Sequence, residues 1–355
     1  MADKTKIEWT DATWNPVTGC SLVSEGCRYC YAADLAASRL KNHPSRKGLA
    51  KRNAAGVAQF TGEVRFNEKW VDQPLHWRKP RRIFVCAHAD LFHENVPDEW
   101  IDKVFAVMAL CPQHTFQVLT KRPERMRRYL SDVQAARWMV IEGEARAMGF
   151  DPNAMNAAGF ERLANKGFLP NVWLGVSIED QPTADTRIPY LMKIPAAVRF
   201  VSAEPLLGPV DLTRHLDPCL EHCTHGCCAE HEWECYSMFD TLDWVIVGGE
   251  SGDHARAMNP QWARALRDQC AAAGVSFLFK QWGVWLPRSH AAHLGDEIND
   301  LPFGEFHAPD GEWIDCCLCS EGAADMPMFR VGKAAAGRVL DGVTHDGFPE
   351  VRVDA

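Results

Sequence analysis

Three cysteines stand close together near the N-terminus, in WNPVTGCSLVSEGCRYCYA (14–32), with the spacing Cys20-x6-Cys27-x2-Cys30. Three thiolates on one short loop can bind three irons of a [4Fe–4S] cluster and leave the fourth iron open for a cofactor or substrate. Gly19 and Gly26 flank the ligands and would let the backbone turn closely around the cluster. Trp14, Val17, Tyr29 and Tyr31 would limit solvent access and tune its potential. A zinc site completed by a distant fourth ligand, or three unliganded thiols, are the other readings these residues leave open.

A second concentration lies in CLEHCTHGCCAEHEWEC (219–235), where Cys219, Cys223, Cys227, Cys228 and Cys235 alternate with His222, His225 and His231. So many soft ligands in a segment of low apolar content point to a second metal that staples it. Zinc is preferred over an auxiliary iron–sulfur cluster, and a reduced surface loop is the alternative. In DCCLCSE (315–321), Cys316, Cys317 and Cys319 either add a ligand to that metal or are plain thiols. Cys86, Cys111 and Cys270 occur singly among apolar residues and are expected in the core. The chain has 14 cysteines among 355 residues. The opening MADKTKIEWTDATW lacks the apolar stretch of a signal peptide, and no run reaches membrane-spanning length, so a cytoplasmic setting with no membrane partner is expected. In that reducing compartment such cysteines imply metal or redox chemistry before disulfides.

These groups must be positioned by regular elements. Short apolar runs rich in β-branched residues recur at 82–90, 114–122, 171–180, 198–205, 242–251 and 275–283, after a first strand expected near Trp14–Thr18. Their apolar residues fall on both alternations, as in strands buried on both faces. Helical patterns lie between them. DEWIDKVFAVMALC (98–111) places Trp100, Val104, Val107 and Met108 on one side, and NPQWARALRDQCAAAG (259–274) runs from an Asn-Pro start to a Gly stop. Alternating strands and helices imply parallel βαβ units. A TIM-like barrel or partial barrel is expected over 1–290, with a doubly wound open sheet as the alternative. A polar excursion at 41–80, a helical insertion at 131–170 and the Cys/His-rich insertion at 211–241 interrupt the rhythm. Residues 291–355 form a C-terminal extension packed on the barrel, irregular from about 285 until GKAAAGRVLDG (332–342).

The expected strands end in polar residues: His88 and Asp90, Thr120 with Lys121 and Arg122, Ser177 and Glu179, Ser202 and Glu204, Glu250, and Lys280 with Gln281. In α/β barrels that rim carries the chemistry. The net charge of −9 argues against a broad, sequence-blind nucleic-acid binder. Local basic runs remain at RKPRR (78–82) and KRPERMRR (121–128).

The cysteine loop resembles that of radical S-adenosylmethionine (SAM) enzymes, including the aromatic residue, Tyr29, before the last cysteine. Their usual first gap is three residues, whereas here it is six. From end to end the chain resembles an uncharacterised phage-associated family placed near the radical SAM barrels. The shared stretches are TKIEWTDATWNPVTGC, DLFHE (90–94), LTKRP (119–123), LGVSIE (174–179), SAEPLLG (202–208), VIVGGESG (245–252), FKQWG (279–283) and VGKAAAGRVLDG (331–342). The resemblance implies a cluster on Cys20, Cys27 and Cys30 that cleaves SAM to methionine and a 5′-deoxyadenosyl radical, with an electron donor of flavodoxin or ferredoxin type. Within it, Asp90 would meet the SAM amino group, Lys121 or Arg122 the carboxylate, and Ser177 and Glu179 the ribose, with Glu204 and Glu250 also at the cofactor. Gly248-Gly249-Glu250 ends too late a strand to be the usual amino-binding motif. A nucleotide or nucleic acid, for modification or repair, is the expected substrate class. The competing functions are a non-catalytic zinc- or cluster-binding protein acting through a partner, and a metal-dependent hydrolase, for which His88 and Asp90 are the nearest approach to ligands.

Overall fold

The computed structural model describes residues 5–131, 134–150, 167–216, 241–306, 313–314 and 326–350. Seven strands form one sheet in chain order: β1 (Ala12–Trp14), β2 (Arg82–Val85), β3 (Thr115–Thr120), β4 (Val172–Ile178), β5 (Val198–Ala203), β6 (Trp244–Gly248) and β7 (Ser276–Gln281). All six neighbouring pairs are parallel. Parallel neighbours need crossovers. Here they include α2 (Asp98–Leu110), α3 (Pro123–Ser131) and α4 (Gln134–Ala147), α5 (Gln181–Met192) and α6 (Pro260–Ala273), while α1 (Tyr31–Ala37) follows the cysteine loop.

Alternation along the strands builds two cores. Ile83, Val85, Phe116, Val118, Leu174 and Val201 face outward and pack with Ile101, Val104, Met126, Ile188 and Leu266 of the helices. Trp173, Val198, Phe200, Trp244, Ile246 and Leu278 face inward and form a separate cluster with Trp9, against which Phe84 and Leu119 also pack. The Trp9 ring lies 4.6 Å from that of Phe84 and 6.3 Å from that of Trp244. Side chains from β2 and β6 can share one neighbour only if the sheet curls. The architecture is therefore mixed α/β with a curled, open parallel sheet, a partial barrel of TIM-like form.

Helix ends agree with their local chemistry. Asp180 accepts from Thr183 N at 3.0 Å and its own N donates to Thr183 Oγ1 at 3.1 Å, a reciprocal cap for α5. Asn259 caps α6, which stops at Gly274 with φ +66°.

Three expectations change. The first strand does not run through 14–18: Pro16 has no N–H for the ladder, so β1 ends at Trp14, and Val17–Thr18 pairs antiparallel with Arg65–Phe66 instead. The tail is not irregular. Trp285–Pro287, Phe303–Phe306, Trp313–Ile314 and Met326–Arg330 make a four-stranded antiparallel sheet, too short in each strand to show a period in the sequence. The excursion at 41–80 also contains a hairpin, Ala50–Arg52 with Ala58–Phe60. The expected second metal segment, with Cys219, Cys223, Cys227, Cys228 and Cys235, lies outside the described residues, as do Cys316, Cys317 and Cys319. Among the described residues no helix is long and apolar enough to cross a membrane.

Candidate functional site

At the carboxyl ends of the strands lies a cavity of about 400 Å³. Cys20, Cys27 and Cys30 line it together with Asp90, Lys121, Arg122, Ser177, Glu204 and Glu250. The loop that carries the cysteines is tied down at several points. Gly19 takes φ +95°, and a Cβ there would fall 2.2 Å from the Glu63 carbonyl oxygen, so the turn requires glycine. Ser21 Oγ accepts from Arg122 Nη2 at 2.7 Å and lies 2.9 Å from His93 Nε2, while Ser24 Oγ donates to Glu179 Oε1 at 3.0 Å. Cys30 occupies the cap position of α1. On the far side, Arg256 Nη2 donates to the Glu25 carbonyl at 3.0 Å, and His254 stacks on Tyr29. Tyr29 and Tyr31 line the cavity, whereas Trp14 and Val17, expected there, are buried in the helix-side core.

The thiols of Cys20 and Cys30 are held in their protonated form by their surroundings. Burial, reinforced by the Asp90 carboxylate, pushes Cys20 up to about 12, although Arg122 Nη1 lies 3.6 Å from its sulfur and opposes the shift. Burial also raises Cys30, against the backbone N–H groups of Ala33 and Ala32. Such thiols are poor free nucleophiles but become ligands once a metal supplies compensating charge. Among the described residues no three His, Cys, Asp or Glu side chains converge on a point that one ion could occupy. Three thiols on the wall of one cavity are the donor chemistry that an iron–sulfur cluster takes. Cys86, expected only as a core residue, also lines the cavity at φ +58°, and burial pushes its thiol up to about 12.

The structure redistributes the other roles. Asp90 Oδ1 accepts from Phe92 N at 3.0 Å and Thr120 Oγ1 at 2.7 Å; Oδ2 accepts from Lys121 N at 3.0 Å and Arg122 Nη1 at 3.2 Å. Glu179 does not line the cavity: Lys121 Nζ reaches its Oε1 at 2.6 Å and Arg187 Nη1 its Oε2 at 3.0 Å. Burial alone would raise its pKa, but the two cations outweigh it and hold the carboxyl below the usual range. Glu250 is closed by Arg256, with bonds of 2.7–2.9 Å. His88 is likewise outside the cavity: Arg46 Nη2 lies 2.9 Å from its Nδ1, and burial together with that cation lowers its pKa to about 4. It does not pair with Asp90 as a hydrolase site would need.

The basic runs do not form a groove at the cavity mouth. RKPRR precedes β2 and so lies at the amino end of the sheet. In KRPERMRR, Lys121, Arg122 and Arg125 are committed to Glu179, Asp90 and Asp98. Sequence reasoning missed Cys86 as a lining residue, Ser251 beside Gln281, and the Arg256 clasp. None carries a local motif, since their places depend on loops meeting across the sheet.

A curled parallel α/β sheet with a thiol-lined cavity at its carboxyl rim thus defines the class of protein. The chain belongs to a family described as a protein of unknown function (DUF5131), whose profile matches residues 4–349. Compared with curated proteins and with solved structures, it matches none.

Proposed function

We propose that the protein is a radical SAM enzyme that acts on a nucleotide or nucleic acid. The observation that carries this reading is that three thiols and all but one of the polar residues expected at the cofactor, Glu179 being the exception, open onto one cavity at the rim of a partial barrel. When bound, a [4Fe–4S] cluster on Cys20, Cys27 and Cys30 would supply the electron that cleaves SAM, the electron arriving from a flavodoxin- or ferredoxin-type donor.

The chain's own residues would do the positioning. Arg122 would stabilise the Cys20 thiolate once a cluster is bound and, through Ser21, fixes the loop. Lys121 and Glu179 hold the loop's other end through Ser24. Tyr29 and Tyr31 line the cavity beside the thiols and would limit the access of water to a bound cluster. Ser177 presents its side chain to the cavity at the end of β4, where it would meet a ribose.

The test is anaerobic reconstitution with iron and sulfide, followed by iron and sulfide analysis, absorption spectroscopy and chromatography of reactions with SAM and dithionite. The expected result is one oxygen-sensitive four-iron cluster and release of 5′-deoxyadenosine and methionine. Cys27→Ala and Cys30→Ala should lose both, and Cys86→Ala should keep both. Full iron in the Cys27 or Cys30 variant, or zinc in protein never exposed to air, would overturn the reading. Loss of the cluster on replacing Cys86 would instead indicate four thiolate ligands and no open iron.

A further inference from the structure

Two carboxylates at the cavity's rim are saturated: Asp90 by four donors and Glu250 by Arg256. Glu8, before β1, also lines the cavity, and its Oε2 is buried without a partner among the described residues. On the β5–β7 wall, Glu204 Oε2 accepts from Ser202 Oγ at 3.2 Å, but Glu204 Oε1 is buried and accepts no hydrogen bond among the described residues. Lys280 Nζ is in ion-pair contact with that oxygen at 2.8 Å but out of hydrogen-bond alignment. Beside it, Gln281 Nε2 donates to Ser251 Oγ at 3.1 Å, leaving Gln281 Oε1 buried and likewise without a donor.

Two details show that this wall is built. Consecutive residues of a strand normally face opposite sides, yet Lys280 and Gln281 both line the cavity. The β6–β7 register explains it: Val247 pairs with Phe279 but Gly248 pairs with Gln281, so Lys280 is the extra residue of a bulge. Bulges re-aim side chains in this way beside sites. Gly248 is the second detail. A Cβ there would lie 2.4 Å from Glu204 Oε1, so glycine leaves that carboxylate its place above the sheet.

Buried acceptors without donors are costly and call for a partner that brings N–H groups. The partner must also offer an acceptor to Lys280, and a flat one would find aromatic surface to lie against, since Trp9, Phe84 and Tyr31 line the same cavity. We infer that this wall is a binding site for the hydrogen-bonding edge of guanine: a ring N–H and an exocyclic amino group for Glu204 and Gln281, beside a carbonyl for Lys280. Adenine does not fit, since its ring nitrogen would turn a lone pair toward the Glu204 carboxylate. The inference deepens the proposed function and rests on it for the claim that the bound group is a substrate; the recognition itself needs neither iron nor SAM.

The experiment is equilibrium binding of guanosine, inosine and adenosine to the full-length protein, both iron-free and reconstituted. Guanosine should bind saturably, inosine at least tenfold more weakly because it lacks the amino group, and adenosine more weakly still. Glu204→Gln should weaken guanosine at least tenfold with iron content and thermal midpoint retained. Gln281→Leu, which leaves the ion pair intact, provides the same reading should the first variant fold poorly. Absence of saturable guanosine binding, equal affinity for adenosine, or unchanged affinity in a folded variant would overturn the inference. Guanosine binding without any SAM cleavage would count against the radical reading alone.

Discussion

At the level of single residues, a polar side chain at a strand's end and a polar side chain free to bind something are different things. Asp90 illustrates this. Its four donors include two backbone N–H groups and the nearly buried Arg122, so it organises the β2–β3 rim before it can meet any ligand. Asp90→Asn would leave Arg122 without that partner and turn an amide N–H toward a donor. Removing one member of a buried ion pair costs about 3–5 kcal/mol. The expected outcome in denaturant unfolding is a lowered midpoint of that order. A change under 1 kcal/mol would show that the carboxylate is not structural. Alanine at Glu179 should likewise be read first for folding, because Lys121 and Arg187 would lose the carboxylate that neutralises them. The rim residues were legible in the sequence, since polar residues ending six apolar runs form a pattern. Their roles were not, because pairing partners lie far away along the chain, as Glu179 and Ser24 do.

Among the elements, the strands' inner faces decide what space the cavity has beneath it. Gly175 sits at the middle of β4, and a Cβ there would meet the Phe200 ring at 2.5 Å. Phe200 is itself packed against Trp9 and Trp244, with ring centroids 6.4 and 5.7 Å away, so it has no room to yield. Overpacking of this kind costs about 1–3 kcal/mol. Gly175→Ala should lower the unfolding free energy by that amount, whereas alanine at Gly56, where nothing lies within 4 Å but φ is +77°, should cost only the backbone strain. The sequence reading placed β2–β7 correctly because each is a short apolar run with flanking polar residues. It missed the C-terminal antiparallel sheet, where strands such as Trp285–Pro287 and Trp313–Ile314 have too few residues to display a period.

Across the whole molecule, the end of the described chain closes the barrel's amino side. Phe279 N donates to the His345 carbonyl at 3.0 Å and Gly347 N to that of Phe277 at 3.0 Å, so this segment covers the free edge of β7. Phe348 then packs on Trp244, and Arg82 of β2 lies over its ring, which bridges the open sides of the sheet. Asp341 pins the segment to α6 through Arg264 at 2.7 Å and Arg267 at 2.6 Å. These arginines, Arg264 foremost, hold its carboxyl well below the usual range against the opposing effect of burial. The lowered pKa belongs to the folded state. Its contribution is therefore fully present above the unfolded value near pH 4 and is lost as pH falls through the lowered one. The side chain is a third exposed, so with screening the contribution is about 1 kcal/mol. Asp341→Asn, which tolerates the left-handed backbone at φ +51°, should lose about that much at pH 7 and a smaller amount at pH 2, part-way down the window in which the contribution disappears. Equal losses at both pH values would assign the effect to something other than charge.

The sequence by itself determined the parallel α/β class, the order of the long strands, the limits of α2 and α6, and the residues that gather at the carboxyl rim. These follow from periodicity and local capping, which act over a few residues. Only the tertiary structure decided that the three cysteines share a cavity with residues of β2 to β7, that Asp90 and Glu250 are already saturated, and that Glu204 and Gln281 are not. Whether a polar group is satisfied depends on which distant donor the fold brings to it. The bulge that turns both Lys280 and Gln281 into the cavity depends on how β7 is paired with β6, a matter of register that no stretch of the sequence displays.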